Sequence, residues 1–170
     1  MDLRLDTRLR GDIAEAAVLH ALTAAGLLVL VPFGRFGPYD LVAELTPGDF
    51  VRIQVKSGRM RGGCIEFNCR GTDHGGGSAC YAGRADVFAV HVHSTGEQFI
   101  VPVAQARASK MYLRTVPAAN RQVRGVRYAD EYRLSRWVAQ HAPVEDKVLA
   151  RQRATAPRGQ IHPRVSDGQP

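Results

Sequence analysis

Two apolar runs joined by a short turn limit what this chain can fold into. The runs are YDLVAEL (39–45) and FVRIQVKSG (50–58), and the segment between them, TPGD (46–49), has the proline and glycine of a tight turn. Apolar and polar residues alternate in the second run, as they do in a strand with one buried face. The sequence therefore predicts an antiparallel hairpin over residues 39–58.

This hairpin carries a carboxylate, an amide and an ammonium at positions where packing does not require them. Because strand side chains alternate between faces, Gln54 and Lys56 point to one side and the apolar residues beside them point to the other. A turn near residues 46–48 brings position 40 opposite roughly 54 to 56. We therefore expect Asp40, Gln54 and Lys56 to converge on one spot.

The rest of the chain supplies helices and further strands. Helical spacing predicts a helix over 6–25, ended by Gly26, with an apolar stripe made of Leu9, Ile13, Ala16, Ala17, His20, Ala21 and Ala24 or Ala25. Strands are predicted over 27–33, 64–68, 86–93, 98–103 and 111–116. The same reading predicts a mobile Gly-rich loop over 70–86, a short helix over 104–110 and a closing helix over 129–141.

The order of these elements predicts a single α/β or α+β domain with a mixed sheet, over residues 1–142. Residues 143–170 are rich in Pro, Arg and Gln and poor in large apolar residues, which predicts a disordered tail. No stretch approaches the ~20 apolar residues of a membrane span, and the first twelve residues alternate charges. We therefore expect a cytoplasmic protein that does not bind membranes.

The chain is basic, with a formal net charge of +7. Such a balance favours a polyanionic partner, most simply nucleic acid, although an Arg-rich composition alone also produces it. Seven arginines flank the hairpin in sequence and would form a phosphate-binding surface if they share a face: Arg59, Arg61, Arg70, Arg84, Arg121, Arg124 and Arg127.

The converging side chains suit phosphodiester hydrolysis. Asp40 offers a hard oxygen ligand to Mg²⁺, and the amide oxygen of Gln54 and the backbone carbonyl of Val55 can add two more. Glu15, on the first helix, is placed to reach the same spot. Lys56 can orient or deprotonate the attacking water, because burial lowers the pKa of a lysine.

The sequence here resembles the PD-(D/E)xK nuclease superfamily, and more closely its group I intron-associated homing-endonuclease branch, which has Gln in place of the second acid. The matching stretches include RGDIAEAAVLHALTAAG (10–26), GPYDLVAE (37–44), RIQVKSG (52–58) and YAGRADVFAVHV (81–92), and the resemblance covers roughly residues 8 to 133. It implies a restriction-endonuclease-like core with a mixed β-sheet flanked by helices.

The resemblance assigns the catalytic core to Asp40, Gln54 and Lys56 and the helix-borne acid to Glu15. The proline of the family name is displaced, since Tyr39 stands between Pro38 and Asp40. The resemblance implies a Mg²⁺-dependent DNA endonuclease, with Mn²⁺ as a substitute, that forms a dimer or tetramer. Homing, repair, junction resolution and defence against foreign DNA all use such a core.

Two other functions stay open at this point. A non-catalytic nucleic-acid-binding module on the same fold fits the missing second acid and the positive charge. A small structural or assembly protein, kept soluble by its arginines, is the third.

Asp86 is expected to fix Arg84 or the loop rather than bind metal, and Tyr81 to pack or to contact a phosphate or a neighbouring subunit.

Cysteine and histidine residues raise the question of a zinc site. Cys64, Cys69, His74 and Cys80 supply four soft ligands, but they lack the paired C-x2-C spacing, so buried or incidental thiols are the preferred interpretation. His91 and His93 alternate with valines on a predicted strand, where a packed or solvated face is favoured over a metal site.

Overall fold

The fold is known from a computed structural model, which describes residues 6–34, 37–72, 78–106, 109–117 and 125–141. The helices are α1 (Thr7–Ala24) and α2 (Leu134–His141), and short 3-10 turns span Val103–Gln105 and Ala129–Tyr132. The strands are β1 (Leu28–Leu30), β2 (Leu41–Thr46), β3 (Asp49–Arg61), β4 (Cys64–Asn68), β5 (Gly71–Thr72), β6 (Ser78–Ala79), β7 (Val87–Val92), β8 (Gln98–Pro102) and β9 (Lys110–Arg114).

Strand β3 organises the main sheet. It pairs antiparallel with β2, with Leu41 opposite Ile53, and parallel with β7, with Val55 opposite Ala89. The last residues of β3 pair instead with β4, and β4 pairs with β9. β3 therefore joins the two parts of the seven-stranded sheet, one made with β1, β2, β7 and β8 and the other with β4 and β9. The parallel pair makes the sheet mixed, and the predicted α/β class with a mixed sheet and flanking helices is confirmed.

One apolar core lies on each side of this sheet. On one side α1 packs Ala14, Val18 and Leu22 onto a cluster that contains Ile53 and Ala89. The other core consists mainly of buried residues from β4, β7, β8 and β9, including Phe67, Phe88, Phe99, Ile65 and Leu113. The faces of β3 alternate as predicted, so that Ile53 and Val55 join the first core.

The predicted apolar stripe of α1 is wrong. Leu9 is 46% exposed and Ile13 is 36% exposed, whereas Ala14, Val18 and Leu22 are buried. The helix carries apolar residues on several faces, so the spacing of its residues alone does not say which face meets the sheet. The helix bounds agree with the prediction, and Gly26 ends the helix at φ 82°.

The closing helix also differs from its prediction, because it is interrupted at Arg133. There the backbone is extended and forms an isolated bridge with Phe99. The Arg133 guanidinium donates to Glu97 at 2.6 Å and to Asp130 at 2.7 Å, which holds the residue against β8 rather than in a helix. The segment 129–141 is therefore a 3-10 turn followed by the eight-residue α2.

Smaller differences concern three other segments. Only Leu28–Leu30 of the predicted strand 27–33 is paired, and the short helix predicted over 104–110 is reduced to the 3-10 turn Val103–Gln105. The Gly-rich segment 70–86 contains the paired strands β5 and β6. The predicted tail, residues 143–170, lies outside the described residues.

Gly58 lies where β3 passes from one part of the sheet to the other. A Cβ atom at this position would lie 2.8 Å from Val90 Cγ1 and 3.1 Å from Ile65 Cγ2. Both neighbours are fully buried, so the two parts of the sheet can approach this closely only at a residue without a side chain. Among the described helices, none has both the length and the apolar composition for a membrane crossing.

Candidate active site

The carboxylate of Asp40 lies at the entrance to β2 and turns toward β3. The Asp40 backbone N–H donates to Ile53 O at 2.9 Å, which extends the ladder by one residue and places Asp40 opposite Gln54. Its Oδ2 accepts hydrogen bonds from the Val55 N–H at 2.7 Å and from Gln54 Nε2. Burial raises the pKa of Asp40, against the opposing effects of the Val55 hydrogen bond, the charge of Lys56 and the Gln54 amide.

Gln54 presents its amide nitrogen, not its oxygen, to Asp40. The same nitrogen lies 3.4 Å from the backbone oxygen of Val55, so one donor faces two acceptors. Neither acceptor can donate a proton to an amide oxygen, which explains this orientation. Gln54 thus stabilises the Asp40 carboxylate where a second acid would repel it.

Lys56 extends from the same face of β3 as Gln54 and makes no ion pair with Asp40, although the two charges influence each other. Its Nζ donates to Tyr81 Oη at 2.9 Å and to Arg70 O at 3.4 Å. Burial lowers the pKa of Lys56 to about 8, a shift that the negative charge of Asp40 partly opposes. A substantial fraction of this amine is therefore neutral near pH 8, as a general base requires.

Glu15 approaches the site from α1. It shares with Asp40 a cleft of about 380 Å³, whose other lining residues are Arg8, Asp12, Val31, Pro32, Gly34, Gly37 and Tyr39. Burial raises the pKa of Glu15, and the negative charges of Asp40 and Asp12 raise it further. A carboxyl group whose pKa is raised by other carboxylates is one that a cation would stabilise.

These groups fit a hard divalent cation. Asp40, Glu15 and the Val55 carbonyl offer oxygen ligands, and rotation of the Gln54 amide would add a fourth. Within the described ranges, no group of three or more His, Cys, Asp or Glu side chains could hold a metal together. A cation here would therefore keep several waters, as Mg²⁺ commonly does.

A second cleft, of about 390 Å³, is lined in part by Lys56. Most of its charged residues are basic: the cleft is lined by Thr7, Arg10, Val55, Lys56, Ser57, Gly58, Arg59, Glu66, Phe67, Asn68, His93 and Lys110. Its acid, Glu66, already pairs with Lys110 and with Arg61. We call this the basic cleft.

The arginines predicted to share a surface do so only in part. Of the seven, Arg59 lines the basic cleft, while Arg61 pairs with Glu66 and Arg127 donates to Gln105 O at 3.4 Å. Arg121 and Arg124 lie outside the described residues. Arg10 could not be found from the sequence, because no local pattern shows that this turn of α1 lies next to Ser57 of β3.

Asp86 has the structural role expected of it, with a different partner. Its carboxylate accepts hydrogen bonds from the Arg52 backbone N–H at 2.8 Å and from two guanidinium nitrogens of Arg52 at 3.0 and 2.7 Å. Arg52 also donates to Gly83 O at 2.8 Å. The residue that Asp86 fixes is therefore Arg52 on β3 and not Arg84.

The described cysteines do not form a zinc site. Cys69 is buried, Cys64 is half-buried and Cys80 is exposed, and they belong to no cluster of metal-binding side chains among the described residues. Burial raises the pKa of Cys69 to about 11, so in the metal-free protein this thiol is protonated at neutral pH. His74 lies outside the described residues. His91 is buried and its ring lies edge-on to His93, with the centroids 4.8 Å apart, in agreement with a packed face.

The family model for PD-(D/E)XK endonucleases matches residues 5–135, and the chain belongs to this family. No curated protein matches the sequence.

A bacterial homing endonuclease, I-Ssp6803I, has a similar structure, with a TM-score of 0.63 and 24% sequence identity over 89% of this chain and 98% of that one. The predicted PD-(D/E)xK family and the restriction-endonuclease-like core are confirmed, and the fold is similar to that of this homing endonuclease.

Proposed function

We propose that this protein is a metal-dependent DNA endonuclease that hydrolyses phosphodiester bonds. The observation that carries the proposal is that Asp40, Gln54 and Lys56 lie together at the β2–β3 pair, where Lys56 has a pKa of about 8 near a half-buried carboxylate. Membership of an endonuclease family and a basic chain that fits a polyanion support it.

In the proposed reaction, each residue has a separate task. Neutral Lys56 accepts a proton from the attacking water, which adds to phosphorus in line with the 3′ oxygen. The bond from phosphorus to that oxygen breaks and leaves a 5′-phosphate end. Asp40 and Glu15 would hold a divalent cation, which would polarise the phosphoryl oxygen and stabilise the leaving oxyanion.

The cation is proposed to be Mg²⁺, with Mn²⁺ as a substitute. Divalent metal ions are typical of PD-(D/E)XK nucleases. The available ligands are oxygens with few carboxylates among them, which suits a small hard cation that retains waters.

A second candidate function rests on Gln54. Because its amide satisfies Asp40 without a metal, the same arrangement would be stable in a protein that binds DNA without cutting it. Such a module would retain DNA, but it would show no metal-dependent cleavage.

Cleavage of supercoiled plasmid and branched DNA with Mg²⁺ or Mn²⁺ tests the proposal. We expect nicking by the wild type and its loss in Asp40→Ala and in Lys56→Ala. Asp130→Ala, which removes an exposed acid paired with Arg133, is the control and should cut normally. Equal DNA retention by all four proteins with no cleavage of any substrate would instead favour the binding module.

We also propose a homo-oligomer, a dimer or tetramer, because cutting both strands of duplex DNA needs two sites. Leu28 and Leu30 on β1 and Phe50 on β3 are about half exposed, and the strand register places them on one face of the sheet. Apolar surface of this kind is suited to burial between subunits. A monomer at micromolar concentration in sedimentation equilibrium would contradict this part of the proposal.

A further inference from the structure

The Gly-rich segment is attached to β3 on both sides of Gln54. On one side Asp86 and Gly83 bind Arg52, as described above. On the other side Lys56 donates to Tyr81 and to the backbone of Arg70. The segment therefore contacts the proposed catalytic strand through the two residues that flank Gln54 at alternate positions.

Tyr81 is held tightly where it meets Lys56. It is 9% exposed, and its ring packs edge-on against Phe88 with centroids 5.5 Å apart and an interplanar angle of 89°. Gly71 also lies against the phenol, since a Cβ added at Gly71 would lie 2.8 Å from Tyr81 Oη. The absence of a side chain at Gly71 thus leaves the space that the phenol occupies.

Both the hydroxyl and the ring of Tyr81 face the amine of Lys56. Nζ lies 2.9 Å from Oη and 4.3 Å from the ring centroid, so a hydrogen bond and a cation–π contact act together. With Arg70 O, these contacts engage two of the three N–H donors of a lysine ammonium. In the ammonium form the third N–H is left for a phosphate oxygen, and in the neutral amine the same position is the lone pair that would accept a proton from water.

Without these contacts, the amine of Lys56 would not be held in one position. Its four-carbon chain is flexible, and the charge of Asp40 is close enough to influence Lys56. Direct pairing of the two would occupy the carboxylate that is proposed to hold the metal. Nζ instead bonds to Tyr81 Oη and Arg70 O and forms no ion pair with Asp40.

We propose that Tyr81 is a positioning residue that, together with the backbone carbonyl of Arg70, fixes the amine of Lys56. The inference rests on the proposed function, since it gives Tyr81 a task only if Lys56 acts on the substrate.

Tyr81→Phe tests this, because it removes the hydroxyl and retains the ring. Tyr132→Phe is a matched control, since Tyr132 Oη donates to Gln105 Oε1 at 2.7 Å and contacts neither Lys56 nor Asp40. A third variant, Gly71→Ala, displaces the phenol without altering Lys56 or Tyr81. Each variant is compared with the wild type in two assays.

The first assay measures single-turnover cleavage and DNA affinity separately. Misplacement of a reacting group by about 1 Å can cost about 100-fold in rate. We expect Tyr81→Phe and Gly71→Ala to lower the rate about tenfold or more, with an unchanged dissociation constant for DNA. Tyr132→Phe should change neither quantity. Unchanged cleavage in Tyr81→Phe overturns the positioning role.

The second assay measures how fast reductive methylation modifies Lys56 in the metal-free protein without DNA, by peptide mass spectrometry. Release from Tyr81 should make Lys56 react severalfold faster in Tyr81→Phe, and not in Tyr132→Phe. Equal labelling in both variants overturns the inference, whatever the cleavage assay gives. Faster labelling combined with a wild type that cuts no DNA would refute the proposed function and leave the Tyr81–Lys56 contact established.

Discussion

The backbone N–H of Val55 donates a 2.7 Å hydrogen bond to the carboxylate of Asp40. The orientation of this carboxylate is therefore fixed by the register of β2 and β3, before any cation binds. Even with both hydrogen bonds made, burial raises the pKa of this half-buried carboxylate, so its ionised form is destabilised in the metal-free protein.

We expect Asp40→Asn to raise the melting temperature of the metal-free protein at pH 7. Burial raises the pKa of Asp40, so stability falls as pH rises from the unfolded to the folded pKa, and the ionised form lowers stability at neutral pH. Asparagine keeps an oxygen for the Val55 N–H without the charge. Calorimetry of the metal-free protein measures this, and a lower melting temperature would contradict it.

The same variant should lose its response to Mg²⁺. Binding to the folded state alone raises the melting temperature of the wild type, and Asp40→Asn removes the principal ligand. Asp130→Asn, which alters an exposed acid away from both clefts, should keep the full Mg²⁺ response. An equal response in both variants would show that Asp40 is not a metal ligand.

Lys56 gives the opposite dependence of stability on pH. Its folded pKa of about 8 lies below the ordinary value of 10.5, so the unfolded chain binds more protons between these two values. Stability should therefore rise from pH 8 to pH 10.5 in the wild type relative to Lys56→Met, and the contribution is lost as pH falls through about 8. Urea unfolding of both proteins across this range measures the difference, and parallel pH profiles would refute it.

The rate of cleavage should depend on the protonation state of Lys56. If neutral Lys56 accepts the proton from water, the single-turnover rate rises with pH and levels off above the pKa, which is about 8 in the metal-free protein. A rate measured at saturating Mg²⁺ that is constant from pH 6 to pH 9 would exclude Lys56 as the base and leave it a purely electrostatic role.

Gly58→Ala should lower the free energy of unfolding by about 1–3 kcal/mol, the usual result of forcing atoms into a packed core. The added Cβ would meet Val90 Cγ1 at 2.8 Å. Gly11→Ala is the matched control, since it lies inside α1 with no atom within 4 Å of the added Cβ, and it should stabilise the protein by about 0.5–1 kcal/mol. Chemical denaturation measures both, and changes of the same sign would refute the role of Gly58.

The basic cleft should carry part of the DNA affinity. Loss of one phosphate contact lowers the slope of log K against log salt concentration by about 0.9. We expect Arg10→Ala and Arg59→Ala each to reduce the slope by about that amount, and Arg136→Ala, which lines neither cleft, to leave it unchanged. Fluorescence anisotropy between low and moderate salt measures the slope, and identical slopes would exclude DNA from the cleft.

The hairpin could be predicted because two local signals agree there. The turn at Gly48, with φ 85°, and the alternation of β3 together fix the register that brings Asp40 to Gln54. The register in turn places a carboxylate near an amide and a lysine, and this arrangement could therefore be deduced without coordinates. The assignment of catalytic tasks to these residues stays a prediction.

What could not be predicted depends on contacts between distant segments. The orientation of α1 is decided by the sheet on which it packs, so Ala14 and Val18 could not be told from Leu9 by spacing. The break at Arg133 arises from Glu97 and Phe99 on or beside another strand. In the same way, Arg52 contacts Asp86 across 34 positions of sequence, and no local pattern indicates that pairing.

The place of β3 in both parts of the sheet has a consequence for dynamics. Its central amides are enclosed by β2 and β7, so their hydrogens should exchange with solvent only when the whole domain unfolds, whereas the three-residue β1 can open locally. The spacing between Gln54 and Lys56 then stays constant while the protein fluctuates. Any motion that admits a nucleic acid must occur in segments attached to this strand, and the strand itself serves as their fixed reference.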